Sequence, residues 1–257
     1  MPLSADTAQE AVRRLHRLGG GALVVRRAAA RLLGRLDAQE AVTLLEEVIR
    51  LAREGDEEAG CVLPAFTQAL ELEGEQIPHL VALRRVALLA EQRHAAGLFA
   101  WGKPAKELEL EVAKRLDAKL FTQSLGHLKT QARLTRNPDQ LARLATASEP
   151  SVMRNVLQNP RLTEDLVVRI AARRPARPEP LIEIWRNPRW SVRPAVRRAL
   201  ALNPYLPPEI AARIVPMLAR ADLVELLGDH TLPRQLREQA GLLVGRRLPD
   251  EDDLPST

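Results

Sequence analysis

Cysteine, aromatic residues and long apolar runs are scarce in this chain of 257 residues. The single cysteine, Cys61, cannot form an internal disulfide bond, a four-thiolate zinc site or an iron–sulfur cluster. No stretch approaches the roughly 18 consecutive apolar residues of a membrane span, and no basic and apolar secretory signal opens the sequence. We therefore expect a cytoplasmic protein that neither inserts into a membrane nor is exported.

The shortage of aromatic residues also bears on the fold class. Only 3% of the residues are aromatic whereas 46% are apolar, so the core must be built from Leu, Ala, Val and Ile. These residues are typical of helix-on-helix packing, and apolar positions recur at intervals of three and four. Asp37 with Glu40 forms a capping-box pattern at the start of one such stretch, and Asp56 is expected to start another. The sequence predicts an all-α protein rather than a sandwich or a barrel.

Features that could carry catalysis or bind metal are weak. The five histidines are scattered, and none has the spacing that places two metal ligands on one helix face. The Gly19-Gly20-Gly21 triplet lacks the Lys-Ser/Thr pair of a phosphate-binding loop, which favours a flexible turn. Cys61 lies in an apolar run, which favours a buried, inert thiol over a nucleophile. We expect no catalytic residue, no metal and no cofactor.

Charge and proline divide the chain into three parts. Residues 1–130 hold 18 basic and 18 acidic side chains, whereas residues 131–220 hold 16 arginines, no lysine and 7 acids. Of the 19 prolines, 13 fall between Pro138 and Pro233, where they mark helix starts at short intervals. We predict an N-terminal helical region over 1–130, a repeat array over 131–247 and a disordered acidic tail over 248–257.

The second half of the chain is internally repetitive. The dipeptide Asn-Pro occurs at Asn137, Asn159, Asn187 and Asn203, and the segment 159–170 matches 203–214 at an offset of 44 residues. Other apolar positions recur at offsets of 40 and 42. Offsets of this length are typical of HEAT and armadillo repeats, so we expect two helical segments per repeat. In each Asn-Pro, proline is expected to start a helix and asparagine to cap it.

The residue pattern of the repeats resembles that of one known class of helical repeat. Val192, Arg193 and Val196, followed by Asn203-Pro204, resemble the leucine-rich repeat variant, a short helical repeat related in architecture to HEAT arrays. Val152 and the residues up to Leu162 look like a second copy. The resemblance covers roughly residues 137–245 and implies an α-solenoid of irregular HEAT-like repeats that follows the N-terminal helical region. The resemblance gives no information about activity. Some members carry an iron–sulfur cluster held by several cysteines, which the lone Cys61 excludes here.

Arginine is the residue type that most suggests binding. Matched arginines in the repeats are expected to align into rows, with tryptophans between them, a mixture that binds phosphates, bases or peptides. The predicted partner-binding residues are Arg154, Arg169, Trp185, Arg186, Arg189, Trp190, Arg193, Arg197, Arg198 and Arg213. In the alternative interpretation, the arginines pair with Glu164, Asp165, Glu183 or Glu209, and the tryptophans pack between repeats.

Two classes of function fit these features. The leading prediction is a non-enzymatic scaffold that mediates protein–protein interaction through an Arg-rich surface. The alternative is a nucleic-acid-binding HEAT-like protein. In size and helical architecture the chain is also similar to the HEAT-like alkylpurine DNA glycosylases, which use Trp and Asp around a damaged base. However, Trp101 is followed by Gly102-Lys103-Pro104 without an acid within a turn. A glycosylase activity therefore has no residue-level support.

Overall fold

A computed structural model describes residues 5–118, 123–246 and 248. Within these residues every regular element is helical and no strand is present, which confirms the all-α prediction. The predicted acidic tail lies outside the described residues except for Leu248. The α-helices are α1 (Ala5–Arg17), α2 (Ala22–Arg35), α3 (Ala38–Glu54), α4 (Glu57–Leu72), α5 (Leu80–Leu89), α6 (Arg93–Gly97), α7 (Leu110–Ala118), α8 (Leu125–Leu134), α9 (Pro138–Leu144), α10 (Pro150–Leu157), α11 (Glu164–Ala171), α12 (Pro178–Arg186), α13 (Pro194–Ala201), α14 (Pro208–Ile214), α15 (Arg220–Gly228) and α16 (Arg234–Val244).

The chain forms two compact units. The first contains Met1–Trp101 together with Glu209–Thr257, and the second contains Gly102–Pro208. This grouping by spatial contacts differs from the predicted division at residue 130. The sequence-based division followed steps in charge and proline content, whereas the units follow packing, and α16 near the C-terminus packs on α6.

Local sequence signals set the helix ends of the first unit. The Asp37 side chain accepts from the backbone N–H of Glu40, and the Glu40 side chain accepts from that of Asp37, which completes the predicted capping box. Asp56 caps α4 in the same way through the N–H of Ala59. The glycine triplet 19–21 forms the turn between α1 and α2 with positive φ angles throughout. These elements match the predictions.

Helix α4 lies at the centre of the first unit, where it packs against α1, α2 and α3. Its Phe66 is fully buried and belongs to a core cluster made mainly of leucine, alanine and valine side chains. A 3-10 turn at Gly74–Gln76 follows α4 and contacts α2. Gly34 permits this close contact, because a Cβ there would overlap the carbonyl oxygen of Gln76. Cys61 is exposed on α4. The prediction of a buried thiol is therefore wrong, because Cys61 faces away from the apolar core side of the helix.

The C-terminal helices complete the first unit. Helix α16 packs against α15 and α6, and the buried Gln239 donates through Nε2 to the carbonyl oxygen of Ala212 at 2.9 Å. Arg53 on α3 donates to the carbonyl oxygen of Leu218 at 2.7 Å. None of the helices within 5–118 and 123–246 is long and apolar enough to cross a membrane.

Alternate helices are neighbours in the second unit. Helix α10 packs on α8 and α12, and α11 packs on α9 and α13, so that two series are formed. The 44-residue sequence offset relates Pro150 at the start of α10 to Pro194 at the start of α13. It therefore spans three helices and not the expected two, because these helices are only 7 to 9 residues long. Sequence-matched helices consequently belong to different series.

Candidate interaction surface

Two buried asparagines connect the ends of neighbouring helices. Nδ2 of Asn159, which follows α10, donates to the carbonyl oxygens of Ala132 and Thr135 at the end of α8, at 2.8 and 3.0 Å. Nδ2 of Asn203, which follows α13, donates to the carbonyl oxygen of Ala171 at the end of α11, at 2.6 Å. The C-terminal carbonyls of a helix have no partner within it, so these amides satisfy them.

This role corrects the prediction that each Asn-Pro starts and caps a helix. Only Asn137 behaves as predicted, since its Oδ1 accepts from the N–H groups of Asp139 and Gln140 and Pro138 opens α9. Asn159 and Asn203 instead donate to carbonyl groups at the end of the preceding helix in their own series. Oδ1 of Asn187 accepts from the backbone N–H of Arg189, within its own turn. The partners of Asn159 and Asn203 lie 24 to 32 residues earlier in the chain, beyond the reach of a local capping rule.

The asparagine bonds show that the helices within a series run in the same direction. They join the C-terminal ends of α8 and α10 and those of α11 and α13. A third bond, from Nε1 of Trp190 to the carbonyl oxygen of Leu157 at 3.1 Å, joins the chain after α12 to the end of α10. At the opposite ends, Arg193 before α13 pairs with Glu164 at the start of α11 at 3.8 Å.

Both tryptophans of the predicted binding set are buried. Trp185 is fully buried and Trp190 is 3% exposed, with its indole N–H bonded as above. The guanidinium of Arg189 lies over the Trp190 ring, 4.4 Å from its centroid. Neither ring is available for a base or a peptide to stack on. This burial favours the alternative interpretation, in which the tryptophans pack between helices.

Several predicted binding arginines pair with acids, and two of these pairs join adjacent helices of the same series. Arg154 on α10 lies 3.5 Å from Glu183 on α12, and Arg186 lies 3.9 Å from the same carboxylate. Together with the Arg193–Glu164 pair, these pairs involve two of the four acids that the alternative interpretation named, Glu164 and Glu183. Arg154 and Arg198 do not form the expected row, because α10 and α13 belong to different series.

Two other arginines of the set are partly buried. Nε of Arg197 donates to the carbonyl oxygen of Ser191 at 2.7 Å, and burial lowers the pKa of its guanidinium to about 10, so the group remains charged at neutral pH. Arg213 belongs to the first unit, where it lies 3.8 Å from Glu71. Burial lowers the pKa of Arg213, although the Glu71 carboxylate opposes this shift. Neither guanidinium is presented as a free binding group.

Each helix from α8 to α13 carries an arginine in its last turn. A cation there is stabilised by the helix dipole, which is one structural reason for the pattern. In the α9, α11, α13 series these residues are Arg143, Arg169 and Arg198, and all three are exposed. The C-terminal turns of α9 and α11 line one small cavity, and Asn203 joins those of α11 and α13. We call these three residues the arginine edge.

Two members of the arginine edge, Arg143 and Arg169, differ from the acid-paired Arg154 and Arg193. Arg143 and Arg169 have no carboxylate within ion-pair distance among the described residues. Arg143 was absent from the predicted set, and it has no arginine counterpart at the 44-residue offset. The signal that could have identified it is the arginine in the last turn of successive helices. The arrangement can bind anionic groups along one edge of the unit.

Groups for metal catalysis are not assembled in the described part of the chain. There, no three His, Cys, Asp or Glu residues lie close enough together to hold a metal ion. Comparisons with protein-family models, with curated proteins and with solved structures give no match to this chain.

Proposed function

We propose that this chain is a non-enzymatic helical-repeat scaffold whose second unit forms a short, irregular α-solenoid. Two observations support the proposal. The helices within each series run in the same direction, and the hydrogen bonds of Asn159, Asn203 and Trp190 connect successive helix ends in a series. Stacked short helices with nearest-neighbour contacts are the general construction of HEAT-like and related arrays. Such arrays offer extended surfaces for binding other proteins.

The partner that fits the arginine edge best is an acidic protein segment. The observation that carries this proposal is a contrast between two pairs of exposed arginines. Arg143 and Arg169 have no carboxylate within ion-pair distance among the described residues, whereas Arg154 and Arg193 are paired with Glu183 and Glu164. Exposed guanidinium groups bind carboxylates through two parallel hydrogen bonds. A segment with acidic side chains would therefore be held at successive helix ends.

The spacing of the edge suggests how the acids are arranged in the partner. Packed helices lie about 8–10 Å apart. An extended peptide advances about 3.3 Å per residue, so a carboxylate at every third position would meet the arginines of successive helices. A block of the same number of acids would carry the same charge but would extend across fewer helix ends, so it would meet fewer of the arginines.

A nucleic-acid partner is the alternative. The arginine excess of residues 131–220 supports it, since guanidinium groups also bind phosphates. Two observations favour protein over nucleic acid. The buried Trp185 and Trp190 cannot stack on bases, and Glu164 and Glu183 place negative charge among the other arginines. The same burial leaves the second unit without an exposed tryptophan to contact a base, which the glycosylase version would need there.

The test is binding of labelled probes to the purified full-length chain over a salt series. One peptide of about twelve residues, long enough to span three helices, carries Glu at every third position, and a second carries the same residues with the acids in one block. A single-stranded DNA of equal charge is the third probe. The edge variant is Arg143→Gln/Arg169→Gln, and the matched control is Arg154→Gln/Arg193→Gln, which changes two exposed but paired arginines.

We expect the spaced peptide to bind most tightly and to lose about tenfold or more in affinity with the edge variant, while the control loses little. Tighter binding of the DNA, with a steep decrease as salt rises, would replace the protein partner by nucleic acid. Equal effects of the two double variants, or equal affinity for the two peptides, would overturn the assignment of the edge.

A further inference from the structure

The first unit contains a cleft that none of the features above uses. It has a volume of about 560 Å³ and lies where α5 and α6 meet α16. Ligand pockets for small molecules typically have volumes of 300–1,000 Å³, so the cleft is large enough for one organic ligand. It belongs to a different unit from the arginine edge, and its residues were not among the predicted binding residues.

The cleft is strongly cationic. Four arginines line it, and one of them, Arg234, is paired with Glu238 at 2.8 Å. Arg84, Arg93 and Arg246 have no carboxylate within ion-pair distance among the described residues. Three uncompensated guanidinium groups around one cavity favour a ligand with several negative charges, and phosphate oxygens suit the forked geometry of guanidinium donors.

The same cleft offers a flat apolar surface. Trp101 is 54% exposed, although tryptophan side chains are usually more buried. The Cζ atom of Arg84 lies 2.9 Å from the centroid of the Trp101 ring. The backbone N–H of Trp101 donates to Oε1 of Gln235 on α16 at 3.3 Å, which fixes the residue at the rim. Leu88 and Leu242 add aliphatic lining. Planar aromatic groups stack on indole and guanidinium surfaces alike.

The floor of the cleft is tightly packed. Gly97 faces Gln239, and a Cβ at Gly97 would lie only 2.8 Å from Cγ of that side chain. The bond from Gln239 to the Ala212 carbonyl holds the amide in place. The cleft is therefore a fixed part of the first unit and not a gap between loosely packed helices.

We propose that this cleft binds a nucleoside phosphate. Arg84, Arg93 and Arg246 contact the phosphate oxygens, and the base stacks on the surface formed by Trp101 and Arg84. The proposal is independent of the partner proposed for the arginine edge, because it concerns other residues, another unit and a different chemical class of ligand.

The test is isothermal titration of the full-length chain with ADP, with inorganic pyrophosphate and with adenosine. The two probes that are parts of ADP separate the contribution of the phosphates from that of the base. Arg84→Gln and Arg93→Gln remove charge from the cleft. Arg85→Gln is the matched control, because Arg85 neighbours Arg84 on α5 but is exposed outside the cleft. Thermal unfolding checks that each variant is folded, and the exposed Arg93 supplies a second variant should Arg84→Gln fail to fold.

We expect ADP to bind the parent chain and Arg85→Gln equally, and to bind Arg84→Gln and Arg93→Gln about tenfold or more weakly. Pyrophosphate and adenosine are each expected to bind more weakly than ADP. Absence of ADP binding at millimolar concentration would overturn the proposal. Equal binding to all variants would also overturn it, as would pyrophosphate binding as tight as that of ADP.

Discussion

At the scale of single residues, two asparagines have the most distinctive role in the second unit. Asn159 and Asn203 are 1% and 2% exposed, and each uses its amide to satisfy carbonyl groups at the end of another helix. A buried carbonyl without a donor is costly, so a small amide at this position contributes more than its size suggests. The two residues occupy equivalent positions at the 44-residue offset, which explains why the repeated motif contains asparagine.

We predict that Asn159→Ala lowers the free energy of unfolding of the second unit by about 2–3 kcal/mol, because several hydrogen bonds are lost and buried carbonyls remain. Asn187→Ala is the matched control, since the Asn187 side chain accepts only from the N–H of Arg189, within its own turn, and its loss should cost about 1 kcal/mol or less. Urea unfolding measured by circular dichroism checks both values. Equal effects of the two variants would contradict the role assigned to Asn159.

Glycine gives a second prediction at this scale. Gly34→Ala is expected to destabilise the first unit by about 1–3 kcal/mol, because the new Cβ would displace the backbone at Gln76. Gly60→Ala, on α4 with open space around its Cα, should instead stabilise the chain by about 0.5–1 kcal/mol through its helix propensity. The comparison of urea midpoints is the measurement. A stabilising Gly34→Ala would show that α2 is not packed closely on the 3-10 turn.

The sequence predicts these residues only in part. The Asn-Pro dipeptides indicate positions at which the chain turns, and the composition indicates which residue types form the core. The carbonyl partners of Asn159 and the Gln76 contact of Gly34 arise from tertiary packing between segments 24 or more residues apart. Single-sequence signals are local, so they cannot specify which distant backbone group a side chain will meet.

At the scale of helices, two kinds of connection hold α10 to α12. The Trp190 indole is buried and donates to the Leu157 carbonyl, whereas the Arg154 side chain in the ion pair with Glu183 is 60% exposed. Exposed ion pairs are weak because water and salt screen them. The tryptophan therefore contributes more to the stacking of these helices than the charges do.

We predict that Trp190→Phe lowers the free energy of unfolding by about 1–2 kcal/mol, because the Leu157 carbonyl loses its donor. Arg154→Ala should cost no more than about 1 kcal/mol. Chemical denaturation of the two variants beside the parent chain tests this order. A larger loss of stability for Arg154→Ala would show that the ion pair and not the indole hydrogen bond holds these helices together.

Helix length explains which element-level predictions hold. Prolines at Pro138, Pro150, Pro178 and Pro194 each open a helix, as their missing N–H groups and fixed φ angles predict. The prediction of two helices per sequence repeat was wrong, because the known repeats with offsets of this length have longer helices. Helices as short as seven residues allow three in the same span. Periodicity shows that a repeat exists but not how many helices fill it.

At the scale of the whole molecule, the first unit is built from both ends of the chain. Residues 209–257 group with Met1–Trp101, and α16 supplies the packing surface for α6. Composition could not predict this arrangement, because the acidic balance of residues 221–257 and the neutral balance of residues 1–130 give no sign that they pack together. The tertiary contacts reveal it, among them those of α6 with α16 and the hydrogen bond from Arg53 to the Leu218 carbonyl.

We predict that removal of residues 209–257 exposes α6. The amide hydrogen exchange rate of α6 should then increase by tenfold or more, which corresponds to a loss of about 1.4 kcal/mol or more in local stability. Amides of α10 in the second unit are the internal reference in the same experiment. Unchanged protection of α6 in the truncated chain would show that α16 is dispensable for the first unit.

A charge-swap experiment tests whether the arginine edge is the interaction surface. The parent chain and an Arg143→Glu/Arg169→Glu variant are each titrated with the spaced acidic peptide and with a peptide that has Lys at the same positions. We predict that the parent binds the acidic peptide, and that the variant loses this binding and gains binding to the Lys peptide, because the contact is set by charge at these two helix ends. If the variant still binds the acidic peptide as the parent does, the arginine edge is not the interaction surface.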